Sequence, residues 1–317
     1  MIRTKITEML GIKHPIVGGT MMWISNGEFT AAISEAGGLG VLASAIYESK
    51  SAFRDELQKI KSLTKNPFAV NLNLFPAMRP INNDEYIEVI LDEGVKIVET
   101  SGHKAPENLY PPLKEAGCKL IHKCVGAKYA MKAESIGSDI VTVVGYENGG
   151  AVGNLGLGTF VLVPSVVDAV KIPVIGGGGV ADGRGLAAML SLGAQAAIIG
   201  TRLLLTEECP IHKDLKAALV NASELDTIVI MKCVNSAHRV WLNEPGKKAA
   251  ELDTRNAPLE ELIEVVGGHK AKIMFSEGKT DVGTIATGQC IGLIHDIVPV
   301  KTLFENIVSV AESLIKA

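Results

Sequence analysis

The chain has 317 residues, of which 47% are hydrophobic, so it can bury one large core, either as a single barrel or as a barrel with a small appended unit. Its formal net charge of -4 provides no basic surface, and we therefore expect no nucleic acid and no anionic membrane among its partners. No apolar run approaches the roughly 18 residues that a membrane span requires.

The first residues carry scattered charges without a long apolar segment, which argues against a signal peptide. The five cysteines lie far apart, form no CxxC pair and show no zinc spacing with histidines; they are Cys118, Cys124, Cys209, Cys233 and Cys290. We therefore expect a cytoplasmic protein without a metal site, in which the cysteines are small buried hydrophobic residues.

Strand patterns alternate with helical patterns through residues 14–199. The predicted strands span residues 14–20, 39–43, 68–75, 95–100, 119–125, 139–144, 174–175 and 196–199. The predicted helices span residues 27–36, 50–63, 84–93, 106–116, 128–136, 161–170 and 186–192. These near-even strand and helix units predict an α/β protein with a closed parallel (β/α)8 TIM barrel, whose functional loops follow the carboxyl ends of the strands. An open doubly wound sheet is the alternative.

The regular pattern ends after residue 202. Helical patterns at 215–220 and 259–266 and an apolar run at 228–231 follow, together with a polar stretch around 244–248 that we interpret as a linker. We predict a barrel over residues 1–208, an insertion over 209–298 that packs as a lid on the barrel mouth, and an amphipathic closing helix within 299–317.

The strongest chemical signal lies between residues 173 and 202. A short strand runs into four glycines, Asp182 can cap the helix that follows, and the next strand ends in Gly200 and Thr201. Glycine N–H groups and a helix N-terminus can hold an anion, and the loops after strands seven and eight of a barrel usually bind phosphate. A plain tight turn is the alternative. A dinucleotide fold is disfavoured because the GxGxxG spacing is missing.

With these loops in place, the chain resembles the FMN-dependent family that includes nitronate monooxygenases, formerly called 2-nitropropane dioxygenases, and the flavin-containing enoyl-ACP reductases of bacterial fatty-acid synthesis. The similar segments appear in family order at residues 15–23, 36–40, 70–71, 145–150, 178–185, 200–202 and 288–292. Trp23 and the region 235–239 are nearer to the enoyl reductase branch. The resemblance covers nearly the whole chain.

The resemblance implies that FMN is the cofactor. Its phosphate is expected on the backbone of Gly178, Gly179, Gly200 and Thr201, assisted by Gly149 and Gly150. The other expected flavin contacts are Gly19, Thr20, Met21, Asn71, Lys123 and Glu147. Two alternatives stay open: Asn71 can be a buried amide satisfied by its neighbours, and Glu147 can form an ion pair that orients its loop.

One position departs from the family pattern. Where the family commonly has Gly-Gly-His, this chain has alanine at position 151, and loss of a positioned acid or base typically costs a factor of about 10²–10⁴. The catalytic candidates that remain are His103, Lys123 and Tyr146. A lysine in a barrel strand is costly to bury alone, so we expect Lys123 to face a carboxylate, a flavin edge or the substrate. His238 and Arg239 are either contacts for an anionic substrate or a solvated surface pair.

We therefore predict an FMN-dependent oxidoreductase in which NADH or NADPH reduces the flavin, and the flavin reduces an electron-poor small molecule such as an enoyl thioester or a quinone. The enzymatic alternative is oxidation of nitronates with oxygen. Further alternatives are a flavin- or phosphate-binding protein with little catalysis, and a barrel that binds a phosphorylated metabolite without flavin. The acceptor, the choice of nicotinamide and the oligomeric state, including a homodimer, stay open.

Overall fold

The computed structural model describes residues 2–75, 81–102 and 105–316. The catalytic candidate His103 lies outside the described residues. The strands are β1 Ile16–Gly18, β2 Gly40–Ala43, β3 Phe68–Leu74, β4 Ile97–Gly102, β5 Lys119–Cys124, β6 Ile140–Val144, β7 Gly150–Ala151, β8 Val174–Gly177, β9 Ala196–Ile199, β10 Thr227–Ile230 and β11 His238–Trp241.

The described helices alternate with these strands and then continue beyond them. They are α1 Lys5–Leu10, α2 Gly27–Glu35, α3 Lys50–Leu63, α4 Asn83–Asp92, α5 Tyr110–Glu115, α6 Ala127–Ser135, α7 Thr159–Ala169, α8 Gly183–Ser191, α9 Thr201–Leu204, α10 Lys213–Leu219, α11 Glu244–Thr254, α12 Leu259–Val266, α13 Gly268–Glu277 and α14 Val300–Lys316. In the part of the chain that the structure describes, no helix is both long and apolar enough to cross a membrane.

Within the described residues, eight parallel strands form one sheet in the order β1-β9-β8-β6-β5-β4-β3-β2. A parallel bridge between Val17 and Leu39 joins the two ends of this sheet and closes the barrel. The predicted TIM barrel is therefore confirmed. The N-cap of α2 is a residue type that favours this position: the Asn26 side chain accepts a hydrogen bond from the N–H of Phe29.

The barrel interior is apolar at one end and polar at the other. Strand side chains alternate, so Ala69, Ile97, Ile121 and Ile140 face inward while Val70 and Leu72 pack against the helices. Ile6 and Leu10 of α1, a helix that the sequence did not predict, join the interior cluster. The next inward-facing residue on each of these four strands, two positions later, is polar. These residues are Asn71, Glu99, Lys123 and Thr142.

The segment after the barrel contains a second, antiparallel sheet of order β10-β11-β7. Its third strand, β7, belongs to the loop after β6, so the loop and the later segment are joined by backbone pairing. The prediction of a linker around residues 244–248 is wrong, because these residues begin α11. Asn243 caps this helix by accepting from the N–H of Gly246, and Leu252 on its inner face packs with β10. At the end of the chain, α14 packs on the barrel beside α8.

Candidate functional site

A cavity of about 1170 Å³ lies at the carboxyl ends of the barrel strands, between the barrel loops and the segments 235–238, 268–275 and 284–286. This volume exceeds the roughly 300–1,000 Å³ of a typical small-molecule site, so the cavity has room for a cofactor together with a substrate. The predicted contacts that line it are Gly19, Thr20, Met21, Asn71, Lys123, Gly149, Gly150, Gly178, Gly179, Gly200 and Thr201. Residues from distant parts of the sequence are thus brought to one chamber.

Glu147 is not among the described residues that line this cavity. Its carboxylate accepts hydrogen bonds from the Thr159 backbone N–H, at 3.1 and 3.0 Å, and lies 3.0 Å from the Thr159 hydroxyl. It therefore satisfies an N–H group at the start of α7. Glu147 thus orients its loop, as in the alternative interpretation from the sequence. Its partner is the N–H group at the start of α7, however, and not the cation of an ion pair.

Tyr146 is also absent from the described cavity wall. Its carbonyl accepts hydrogen bonds from Arg239, and the guanidinium lies 5.1 Å from the centroid of its ring. Arg239 is buried, so the interpretation of a solvated surface residue is wrong for this position. Burial lowers the pKa of Arg239, and the neighbouring Tyr146 and Glu147 partly oppose that effect.

A buried carboxylate that the sequence analysis missed stands below the cavity. Glu99 Oε1 accepts from the Thr20 hydroxyl and from the Asn71 amide, each at 2.7 Å, and lies 3.5 Å from Lys123 Nζ. Lys123 thus faces a carboxylate, as expected for a lysine in a barrel strand. Asn71 is satisfied by Glu99 and by Ser101 at 3.1 Å. The signal in the sequence was a glutamate two residues after Ile97, on the same inward face of a predicted buried strand.

The glycine turn after β8 and the end of β9 offer space for an anion. Gly178 and Gly179 have φ values of +98° and +78°, which favour glycine. A Cβ added at Gly200 would meet no protein atom within 4 Å, and one at Gly179 would meet only Glu147 Cβ at 4.0 Å. Both backbones border the cavity. The space beside Gly179 and Gly200, which we call the anion cradle, therefore fits the phosphate of a bound cofactor.

The helix α8 does not add its N–H groups to this cradle as the sequence suggested. Asp182 Oδ1 accepts from the N–H groups of Arg184 and Gly185, so these donors are already used. Thr201 Oγ1 accepts from the N–H of Gly288, at 2.8 Å, and this bond ties the late segment to the loop after β9. The anion site that remains consists of the glycine turn and the Gly200-Thr201 loop.

Three histidines among the described residues also line the cavity, His122, His238 and His269. His122 on β5 is buried, its Nδ1 lies 2.8 Å from the Thr100 hydroxyl, and burial lowers its pKa to about 4. His238 on β11 pairs by register with Ala151 and places Nδ1 2.6 Å from the Ser236 carbonyl oxygen. His238 is therefore a wall residue beside Ala151 and not a solvated surface residue.

Comparisons with known proteins agree on the family. The family model described as nitronate monooxygenase matches residues 3–86 and 77–309. A Rhodococcus jostii protein named (3aS,4S,5R,7aS)-5-hydroxy-7a-methyl-1-oxo-octahydro-1H-indene-4-carboxyl-CoA dehydrogenase is 32% identical over 100% of this chain and 98% of its own length. A probable nitronate monooxygenase of Staphylococcus saprophyticus is 30% identical over 80% of this chain and 82% of its own.

Among solved structures, FabK from Thermotoga maritima superposes with a TM-score of 0.92 and 34% identity, covering 100% of this chain and 98% of that chain. The likeness therefore extends over the barrel, the second sheet and the closing helix. The matching relatives bear the names of oxidoreductases. The chain belongs to the nitronate monooxygenase family of flavoprotein oxidoreductases.

Proposed function

We propose that the protein is an FMN-dependent reductase that takes electrons from NADH or NADPH and passes them to an electron-poor acceptor, with an enoyl thioester preferred over a quinone. The observation that carries this proposal is the combination, in one cavity, of the open backbone at Gly179 and Gly200 with the polar group of Thr20, Asn71 and Lys123. An anion cradle and a separate set of ring contacts are what a phosphorylated, flat cofactor requires.

Two separate sets of residues would hold the phosphate and the ring of FMN. The backbone at Gly178, Gly179, Gly200 and Thr201 would hold the FMN phosphate, while Thr20, Asn71 and Lys123 would hold the ring. When bound, FMN supplies the hydride chemistry. The second sheet and the segment 268–275 form the far wall of the cavity, which reduces access of water to the reacting atoms.

Basic side chains on the cavity wall support an acceptor or reductant that carries phosphates. Lys272 lines the cavity, and its Nζ lies 4.9 Å from the centroid of the Trp23 ring. Lys132 also lines it and forms an ion pair with Glu107. The thioester preference is supported by the Rhodococcus relative, whose name describes a carboxyl-CoA substrate and which covers the whole of this chain.

The test is an anaerobic titration of the FMN-loaded protein with NADH and, separately, NADPH. We expect one of them to bleach the oxidised flavin band, and crotonyl-CoA to restore the band faster than a soluble quinone does. Bleaching by neither nicotinamide would overturn the proposal. Bleaching that only a quinone reverses would keep the reductase and change its acceptor.

Nitronate oxidation with oxygen is the second candidate, supported by the family model and compatible with alanine at position 151. A nitronate arrives already deprotonated, so it needs less from a catalytic base than a neutral nitroalkane does. Oxygen uptake with propionate 3-nitronate, in the absence of nicotinamide, would favour this reaction. A protein that holds FMN but reacts with none of these compounds would instead be a flavin-binding protein with little catalysis.

A further inference from the structure

Three side chains from separate barrel elements contact the carboxylate of Glu99. Its side chain is 1% exposed, and one oxygen, Oε1, receives the Thr20 hydroxyl and the Asn71 amide and lies 3.5 Å from the Lys123 ammonium. These partners come from the loop after β1, from β3 and from β5. One buried atom therefore fixes the relative positions of groups that are far apart in sequence.

Glu99 stands one layer beneath the cavity. Thr20, Asn71 and Lys123 all line the cavity wall, whereas Glu99 is not among the described residues that do so. A group bound in the cavity therefore meets these three side chains, and Glu99 acts on that group through them. This arrangement separates the residues that would touch a cofactor from the residue that orients them.

The charge of Glu99 also requires compensation. A carboxylate removed from water is costly to bury unless a cation and hydrogen bonds replace its hydration. The second oxygen, Oε2, is buried and makes no hydrogen bond within the described part of the chain. Lys123, whose side chain is 21% exposed, is the cation that faces the carboxylate, and the carboxylate in turn neutralises the ammonium at the cavity wall.

We propose that Glu99 is a positioning residue that holds the Lys123 ammonium at the cavity wall and neutralises its charge, so that a bound flavin ring meets an ion pair and not a bare cation. This inference rests on the flavin site of the proposed function. A bare cation beside a flavin favours the reduced form, which is the more negative one. Glu99 therefore keeps the flavin harder to reduce than Lys123 alone would make it.

The test measures the midpoint potential of bound FMN in the wild type, Glu99→Gln, Lys123→Met and the double variant. We expect Glu99→Gln to shift the equilibrium about tenfold toward reduced flavin, which is about 30 mV for a two-electron couple. Lys123→Met should shift it in the opposite direction. The double variant should lie close to the wild type, because it removes both charges.

Glu35 provides a matched control. Its carboxylate also accepts from a threonine hydroxyl and an asparagine amide, those of Thr64 and Asn66, but it lies outside the described cavity wall. Glu35→Gln should leave the potential unchanged. If Glu99→Gln binds FMN with wild-type affinity and has the wild-type potential, or if Glu99→Gln and Lys123→Met shift the potential in the same direction, the proposal is overturned.

A second measurement covers the case in which Glu99→Gln does not fold. Lys123→Met leaves a buried carboxylate unpaired, so the double variant should unfold at a higher denaturant concentration than Lys123→Met does. A double variant that is less stable than Lys123→Met would contradict the ion pair. A protein that binds no FMN would overturn both proposals, whereas one that shows the predicted potentials but is not reduced by nicotinamides would overturn only the proposed function.

Discussion

The guanidinium of Arg239 lies 5.1 Å from the centroid of the Tyr146 ring and donates hydrogen bonds to the Tyr146 carbonyl oxygen at 3.3 and 3.1 Å. It also donates to the Thr227 hydroxyl at 3.1 Å. Because Arg239 belongs to β11 and Tyr146 to the loop after β6, this contact fixes the second sheet against the barrel. The ring and the carbonyl of Tyr146 make the contact, and its hydroxyl is not part of it.

The first prediction separates this structural role from the catalytic role that the sequence suggested for Tyr146. Tyr146→Phe keeps the ring and the carbonyl, which make the contact with Arg239. We therefore expect rates of flavin reduction and reoxidation within about twofold of the wild type, as for a substitution that removes no structural contact. Arg239→Met leaves the part-buried carbonyl of Tyr146 without its donors and should lower the free energy of unfolding by about 1–3 kcal/mol. Stopped-flow absorbance and denaturant unfolding measure the two effects.

Arg239→Lys is the matched control for charge. It keeps the cation but loses the planar set of N–H donors, so it should recover only part of the stability that Arg239→Met loses. A loss of about 100-fold or more in the rate of Tyr146→Phe, at unchanged stability, would instead identify the hydroxyl as the acid or base that replaces the missing histidine.

The second prediction concerns the anion cradle. Gly200 has a φ of -123° and open space beside it, so Gly200→Ala should fold with a stability within about 0.5 kcal/mol of the wild type while its methyl group enters the cavity. We expect FMN affinity to fall by at least about tenfold, which is about 1.4 kcal/mol of binding free energy. Fluorescence titration of the apoprotein with FMN measures it.

Gly179→Ala should lose FMN affinity and also stability, because its φ of +78° is left-handed and costs a non-glycine residue about 1–2 kcal/mol. Gly94→Ala is the control for that strain: Gly94 has a φ of +65°, has no neighbour that a Cβ would meet and lies outside the cavity wall. It should lose stability and keep its FMN affinity. Unchanged FMN affinity in Gly200→Ala would contradict a phosphate at this place.

The barrel could be predicted because each strand has its own apolar pattern and its own terminating glycine or polar residue. The predicted helix at residues 50–63 has the bounds of α3. By contrast, β7 has two residues and exists because β11 pairs with it, so no local pattern could reveal it. The start of α11 was misinterpreted because its first turn combines charged residues with Pro245 and Gly246, and the large apolar side chain of Leu252 comes only later in the helix.

The candidate site was predictable where chemistry depends on the backbone or on one unusual residue. The glycine turn and Lys123 are both visible in the sequence, and both line the cavity. The partner of Lys123 required knowing which two strands are neighbours, since Glu99 lies on β4, one strand away. The sequence could not show how many N–H groups at the start of α8 remain free for an anion, because a capping side chain can accept from one N–H group or from two. Asp182 accepts from two.

The third prediction addresses Glu147, for which the sequence suggested a flavin contact. If its function is to satisfy the N–H group of Thr159, Glu147→Gln should lower the free energy of unfolding by about 1 kcal/mol. Thr159→Val removes the hydroxyl that donates to this carboxylate and to the carbonyl oxygens of Gly177 and Gly178, so it should weaken FMN binding at least as much as Glu147→Gln does. Thr159→Ser keeps the hydroxyl and serves as the control. FMN binding that is weakened only by Glu147→Gln would identify a direct contact with the cofactor.

The fourth prediction concerns the pH dependence of stability. Burial lowers the pKa of His122 from 6.5 to about 4, and the nearby carboxylate of Glu99 opposes this effect. Between these two values the unfolded chain binds a proton that the folded protein does not, so the free energy of unfolding falls as the pH falls from about 6.5 to 4. The pKa difference corresponds to a loss of roughly 3 kcal/mol that is complete below pH 4.

Unfolding by urea at a series of pH values from 7 to 4 measures this loss. His122→Gln should remove most of it, because glutamine does not titrate. The pKa of the buried His14 is also lowered, mainly by burial and then by Lys13, so a residual acid sensitivity of the same sign should persist in His122→Gln. A curve for His122→Gln that coincides with the wild type would show that His122 binds its proton as readily in the folded protein as in the unfolded chain.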